Sequence, residues 1–146
     1  MLSTTLRGMI IADLYAPLLP AGSRVLDVGC GNGVVSTLIA NSLSLRLTGT
    51  DIADYGKKGF PFVLMSGDRL PFEDRSFDVA MLNDALHHVR DQRRLLAEAA
   101  RVARKLLIFE AEPGGVFALF DRTINFFHHR DMPVPLTFRS SDEWRR

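Results

Sequence analysis

The stretch Val25-Leu26-Asp27-Val28-Gly29-Cys30-Gly31-Asn32-Gly33 decides the fold, because an apolar run meets an acid and then three glycines on alternate positions. The apolar residues before the turn read as a buried strand, and Val34-Val35-Ser36-Thr37-Leu38-Ile39-Ala40 after it reads as a helix folding back over the sheet. The glycines therefore stand where strand becomes helix. Lacking a Cβ and free to take positive φ, they let a ligand approach the backbone and the free N–H groups of the helix N-terminus, which favour an anion.

Spacing separates two cofactor classes. A nicotinamide or flavin fingerprint puts its third glycine three residues after the second, and here that position is Val34. The pattern is instead Gly-x-Gly-x-Gly. Asp27, two residues before the first glycine, puts a carboxylate beside the same crevice, which suits a ligand carrying a positive group next to its own carboxylate, as an amino-acid moiety does.

These residues resemble the class I S-adenosylmethionine-dependent methyltransferases, most closely the small-molecule type (methyltransferase domain 11-like) with an Asp-x-Gly-x-Gly-x-Gly first motif. The resemblance continues through Leu47-Thr48-Gly49-Thr50-Asp51-Ile52, Ser66-Gly67-Asp68-Arg69-Leu70-Pro71-Phe72 and Ser76-Phe77-Asp78-Val79-Ala80-Met81-Leu82-Asn83-Asp84-Ala85-Leu86-His87-His88-Val89. It implies a doubly wound, Rossmann-like α/β fold and S-adenosylmethionine as cofactor, with S-adenosylhomocysteine as product. It also implies roles. Asp27, Gly29, Gly31 and Gly33 hold the methionine part, Asp51 the ribose, Ile52 the adenine face, Asp68 and Arg69 the adenine edge, and Asn83 the methionine end. Cys30, between two of those glycines, reads as small-residue packing at the edge of the same cofactor pocket.

The residues agree with several of these roles. Asp51 follows Gly29 by 22 positions, close to the ~20-residue spacing at which an acid meets a ribose in dinucleotide folds; the competing reading is a helix N-cap. Asp68 offers an acceptor to an adenine amino group, although Gly67-Asp68 also reads as a turn. Asp84, His87 and His88 follow the fourth strand and are the candidates for a general base, with one histidine equally suited to packing or capping. Adjacent helical residues point about 100° apart, so at most one histidine should face the site. Asp78 begins that strand and reads as structural.

The chain has 146 residues and is 47% hydrophobic, with 18 basic and 17 acidic side chains and a net charge of +1. That composition fits one globular domain over residues 1–146 and points to neither a nucleic-acid partner nor an anionic membrane surface. No membrane span or signal-peptide core is legible, so a cytoplasmic location is expected, and the single Cys30 suits a reducing compartment. His128, His129 and Asp131 lack a spaced ligand framework, so no metal is expected.

Five strands alternate with helices: Arg24 to Val28, Leu45 to Thr50, Phe62 to Met65, Phe77 to Leu82 and Lys105 to Glu110. A mainly parallel sheet with helices on both faces follows. The helices run from Gly33 to about Ser42 and from about Asp91 to Arg104. A leading helix spans Ser3 to Ala16, with Leu6, Ile10 and Leu14 on one face. Val116 to His129 reads as a packed helix striped by Phe117, Phe120, Ile124 and Phe127, Met132 to Pro135 as a loop, and Ser140 to Trp144 as a helix start. Arg93, Arg94, Arg101, Arg104 and Lys105 read as a solvated basic face.

Family members resembling this chain carry two further strands, one antiparallel, after the fifth, and Ser140 to Arg146 cannot supply them. The expectation is a domain that continues past Arg146, with cover of the strand-five edge by self-association or by the segment from Met132 to Phe138 as the alternatives. The acceptor is expected to be a small molecule, its apolar character suggested by Tyr15 and the phenylalanines of 117–138. A cofactor-binding module without turnover is the competing function, and Val34 disfavours a nicotinamide oxidoreductase.

Overall fold

The computed structural model describes residues 2–56, 58–66, 69–110 and 139–144. Its elements are α1 (Leu2–Tyr15), β1 (Arg24–Val28), α2 (Val34–Leu43), β2 (Arg46–Asp51), β3 (Phe62–Leu64), β4 (Phe77–Asn83), a 3₁₀ turn (Leu86–His88), α3 (Gln92–Val102), β5 (Ala103–Phe109) and a short α4 (Ser141–Trp144). The proposed helix from Val116 to His129, the loop at Met132 to Pro135, and Asp68 lie outside the described residues.

The five strands form one sheet in the order β3-β2-β1-β4-β5, with every pair parallel. The chain steps outward from β1 through β2 to β3, then returns to the other side of β1 as β4. The order reverses between β1 and β4, and the crevice at the carboxyl ends beside that reversal is where open α/β sheets bind ligands.

Period-two alternation sends each strand's residues to two separate cores. Val25, Leu47, Val79 and Met81 pack with Ile11, Tyr15 and Ile39 under α1 and α2. Leu26, Val28, Ala80 and Leu82 pack with Leu95, Ala99 and Val102 under α3. Leu106 joins the α3 side while Leu107 and Phe109 join the other.

Two local readings need correction. Leu6, Ile10 and Leu14 do share a face of α1, but it is the outward one, more than 40% exposed at each position. The inward face is Gly8, Ile11, Ala12 and Tyr15: a Cβ on Gly8 would stand 2.9 Å from Leu38 Cδ1, so the missing side chain lets α1 lie close against α2. The helix expected to reach Arg104 stops at Val102, and β5 begins at Ala103 with no connecting residue. Asp91 caps α3, its carboxylate accepting the Arg94 N–H at 3.0 Å.

Arg101 is likewise more than a solvated charge. Its guanidinium donates to the Leu70 and Phe72 carbonyls at 3.0 and 2.9 Å and pairs with Glu98 and Asp74 at 2.8 and 2.7 Å, so it fastens the loop after β3 onto α3. These bonds hold the Glu98 carboxyl down at about 2. At the amino end of the sheet Asp78 accepts from Arg24 Nη2 at 2.9 Å, the structural role its position implies.

Candidate cofactor site

Three left-handed residues shape the turn after β1. Gly29, Gly31 and Gly33 have φ of +79°, +55° and +77°, a region that costs a residue with a Cβ about 1–2 kcal/mol. The turn is held by its neighbours: Gly29 and Cys30 donate N–H to the Thr50 carbonyl at 2.8 and 3.2 Å, and Gly31 donates to Asp51 Oδ2 at 2.8 Å. The three glycines differ in what they admit. A Cβ on Gly29 would meet Ala85 Cβ at 2.7 Å and one on Gly33 would meet Phe60 Cζ at 2.8 Å, whereas one on Gly31 would have nothing within 4 Å. A side chain at Gly31 therefore meets open space rather than a clash inside the turn.

Two acids close the crevice. Asp27 is 3% exposed and accepts a hydrogen bond from Ser36 Oγ in the first turn of α2. Burial raises its carboxyl to about 7, opposed by the Ser36 bond and reinforced by the nearby Asp51 charge. Asp51 closes β2; besides the Gly31 N–H it accepts its neighbour Ile52's N–H at 2.7 Å, so in this structure it orders the glycine turn. Ile52 is 59% exposed, an apolar surface left open beside Asp51. Arg69 bridges to Ser66 in a short antiparallel pair just after β3.

The Cys30 side chain turns behind the loop. A Cβ on Gly49 would meet its Sγ at 2.8 Å, and burial, then the charges of Asp27 and Asp51, push the thiol up to about 12.

The carboxyl end of β4 supplies the polar groups opposite. Tyr15 Oη donates to Asn83 Oδ1 at 2.7 Å, so the tyrosine that sequence reading placed near an acceptor is buried and spent on the protein. The Asn83 Nδ2 is buried and has no hydrogen-bond partner among the described residues. Asp84, at φ +53°, forms an ion pair with Arg7 of α1. The two histidines divide: His87 is buried, its Nδ1 2.6 Å from Glu110 Oε2, while His88 is exposed with its ring 4.0 Å from that of His87. Glu110 also accepts the Leu86 N–H at 2.7 Å. Sequence reading took Glu110 only as a strand end; the signal available was an acid closing an apolar strand, the same position Asp51 holds on β2.

Residues 26–109 match a family described as the methyltransferase domain. A relative in Amycolatopsis mediterranei, 27-O-demethylrifamycin SV methyltransferase, is 34% identical over 76% of this chain and 43% of its own length. The crystal structure of the YcgJ protein from Bacillus subtilis superposes with a TM-score of 0.67 at 23% identity, over 94% of this chain and 64% of that one. That of the [4+2]-cyclase SpnF does so at 0.59 and 26%, over 69% and 44%. The chain spans less than half the length of the curated relatives it matches.

The chain belongs to the class I S-adenosylmethionine-dependent methyltransferases. Their cofactor is S-adenosylmethionine, and the residues present fit it: a buried acid beside a turn whose middle glycine faces open space, a second acid closing β2, and an amide donor on Asn83 with no hydrogen-bond partner among the described residues. No helix among the described residues is long and apolar enough to cross a membrane.

Proposed function

We propose that the protein carrying this chain transfers a methyl group from S-adenosylmethionine to a hydroxyl oxygen of a small apolar acceptor. The observation that carries the methyl-donor half is the glycine turn itself, with Gly31 open and the acids Asp27 and Asp51 on either side of it. The acceptor half leans on the relative that methylates 27-O-demethylrifamycin SV. We place residues 1–146 in one cofactor-binding domain whose sheet continues past Arg146, in keeping with the longer relatives, and in a reducing, cytoplasmic setting. The β5 edge is the expected contact if copies associate; a mass that rises with concentration in light scattering is the sign of it.

The bound cofactor supplies an electrophilic methyl on a sulfonium. Asp27 receives the α-ammonium, while Asn83 Nδ2 donates at the same end; the Gly29, Cys30, Gly31 and Gly33 N–H groups already donate within the fold, so the turn contributes the close approach at Gly31. Asp51 takes the ribose hydroxyls, Ile52 lies against adenine, and Asp68 and Arg69 meet its edge. Alignment of acceptor, carbon and sulfur provides most of the rate. A hydroxyl acceptor must also lose a proton. Of the three candidate bases, Asp84 forms an ion pair with Arg7, His87 is buried on Glu110, and His88 is the one exposed to solvent; His88 is the residue we assign to take it, on that exposure. The test is S-adenosylhomocysteine formation across hydroxylated acceptors: His88→Ala should lower kcat by about 10²- to 10⁴-fold and leave cofactor affinity in place.

A second reading follows from the likeness to SpnF, a cyclase on this fold. A domain that binds cofactor tightly but never forms S-adenosylhomocysteine would be a module of another function, regulatory or catalytic.

A further inference from the structure

Sequence reading assigned Phe60 nothing, yet it touches two of the glycines around the site. A Cβ on Gly33 would stand 2.8 and 2.9 Å from Cζ and Cε1 of its ring, and one on Gly49 would collide with Cε2. Gly33 closes the cofactor turn and Gly49 lies in β2, paired with Asp27 across the ladder. The smallness of these two glycines therefore serves a side chain of the protein, and of the turn glycines Gly29, Gly31 and Gly33 it is Gly31 that faces open space. The ring is half-buried and packs on the core beneath α1 and α2. It is delivered by the β2–β3 connection, where Gly49 N–H donates to the Pro61 carbonyl at 2.9 Å and Lys58 lies 3.8 Å over the Phe62 ring.

We infer that Phe60 is a positioning residue for the cofactor turn: wedged between Gly33 and Gly49, it holds the turn's outer side in the shape that leaves Gly31 open to the methionine part of the cofactor. The polar anchors described above, Thr50 O and Asp51 Oδ2, hold Gly29 to Gly31. At the Gly33 end the N–H donates back to Cys30 O at 2.9 Å, the carbonyl accepts the Thr37 N–H at 2.9 Å and Asn32 Oδ1 accepts the Val34 N–H at 3.2 Å, all bonds between near neighbours in the chain. The Phe60 ring, with Lys58 beside it, reaches this end from the β2–β3 connection. The ribose side has separate support, because Asp51 pairs with Leu64 in the sheet and its carbonyl accepts the Met65 N–H at 2.9 Å. Loss of the ring should therefore loosen the methionine half of the site and spare the adenosine half.

This role rests on the proposed cofactor site, and two measurements on Phe60→Ala and the milder Phe60→Leu separate the claims. The first compares S-adenosylhomocysteine with adenosine. The expected result is a loss of roughly tenfold for S-adenosylhomocysteine with adenosine changed by no more than about twofold, graded from Leu to Ala. Equal losses for both ligands, or none, overturn the role, since core filling alone would not separate them. The second needs no ligand and uses Cys30, whose Sγ shares the space over Gly49 with the ring. Thiol labelling of the free chain should accelerate at least tenfold in Phe60→Ala while far-ultraviolet circular dichroism is retained. An unchanged rate in the folded variant overturns the brace. If the wild type binds neither ligand, the cofactor reading fails, and labelling alone decides the role of Phe60.

Discussion

Asp27 is ionisable where an apolar residue would be expected, and its cost depends on pH. With its carboxyl raised to about 7 chiefly by burial, the folded chain keeps a proton that the unfolded chain loses near pH 4. The associated stability is fully present below about pH 4 and is lost as pH rises toward 7. Denaturant titrations at pH 5 and pH 7.5 should show the wild type losing roughly 2–3 kcal/mol more than Asp27→Asn; parallel losses would mean that Asp27 is ionised throughout. Asp51 carries a different double duty. Because its carboxylate accepts the Gly31 and Ile52 N–H groups, Asp51→Ala should lower stability by about 1–3 kcal/mol as well as weaken cofactor binding about tenfold or more. Calorimetry and chemical denaturation on the one variant check both halves.

Elements are held by contacts that their own sequences only partly announce. The helix α1 carries apolar residues on its outward as well as its inward face, and its seat is chosen by Gly8 against Leu38. Leu6→Gln and Leu14→Gln on the outward face should each change stability by less than about 0.5 kcal/mol. Ile11→Ala, in the core beneath, should cost about 2–5 kcal/mol. Thermal or urea denaturation of the three variants distinguishes the faces, and a reversed ranking would mean that α1 sits the other way round. The clamp on the loop after β3 is similarly non-local. Arg101→Ala removes donors from two backbone carbonyls and should cost about 1–2 kcal/mol; a neutral variant would return Arg101 to the solvated face. Because Glu98 is held down at about 2 mainly by Arg101, its contribution is present above about pH 4.5 and is lost as pH falls toward 2.

For the molecule as a whole, the sheet order sets a gradient of protection. The strands β1 and β4 each pair on both sides, whereas β3 is three residues long, borders β2 alone among the described residues, and leaves Leu64 57% exposed. Amide exchange should be slowest along Val25 to Val28 and Val79 to Leu82 and fastest, within the sheet, at Phe62 to Leu64. Comparable protection at β3 would show that edge to be covered.

What the sequence determined by itself was local in its physics. Alternating apolar residues name strands because successive side chains point to opposite faces, and Gly29, Gly31 and Gly33 name a turn because positive φ penalises every other residue. The order of strand, helix and acid then carried Asp27 and Asp51 to the carboxyl edge, and parallel pairing of β1 with β2 and of β4 with β5 followed from the helical crossovers α2 and α3. Tertiary structure alone decided which face of α1 turns inward and that Tyr15 is spent on Asn83. It also decided that Glu110 meets His87 and that Arg101 binds carbonyls 29 and 31 residues away. Even the glycines were read only in part: their backbone angles are local, but that Gly33 makes room for Phe60 while Gly31 stays open depends on a ring brought back by the β2–β3 connection. Such contacts join residues distant in the chain, and no periodicity or propensity within either partner encodes them.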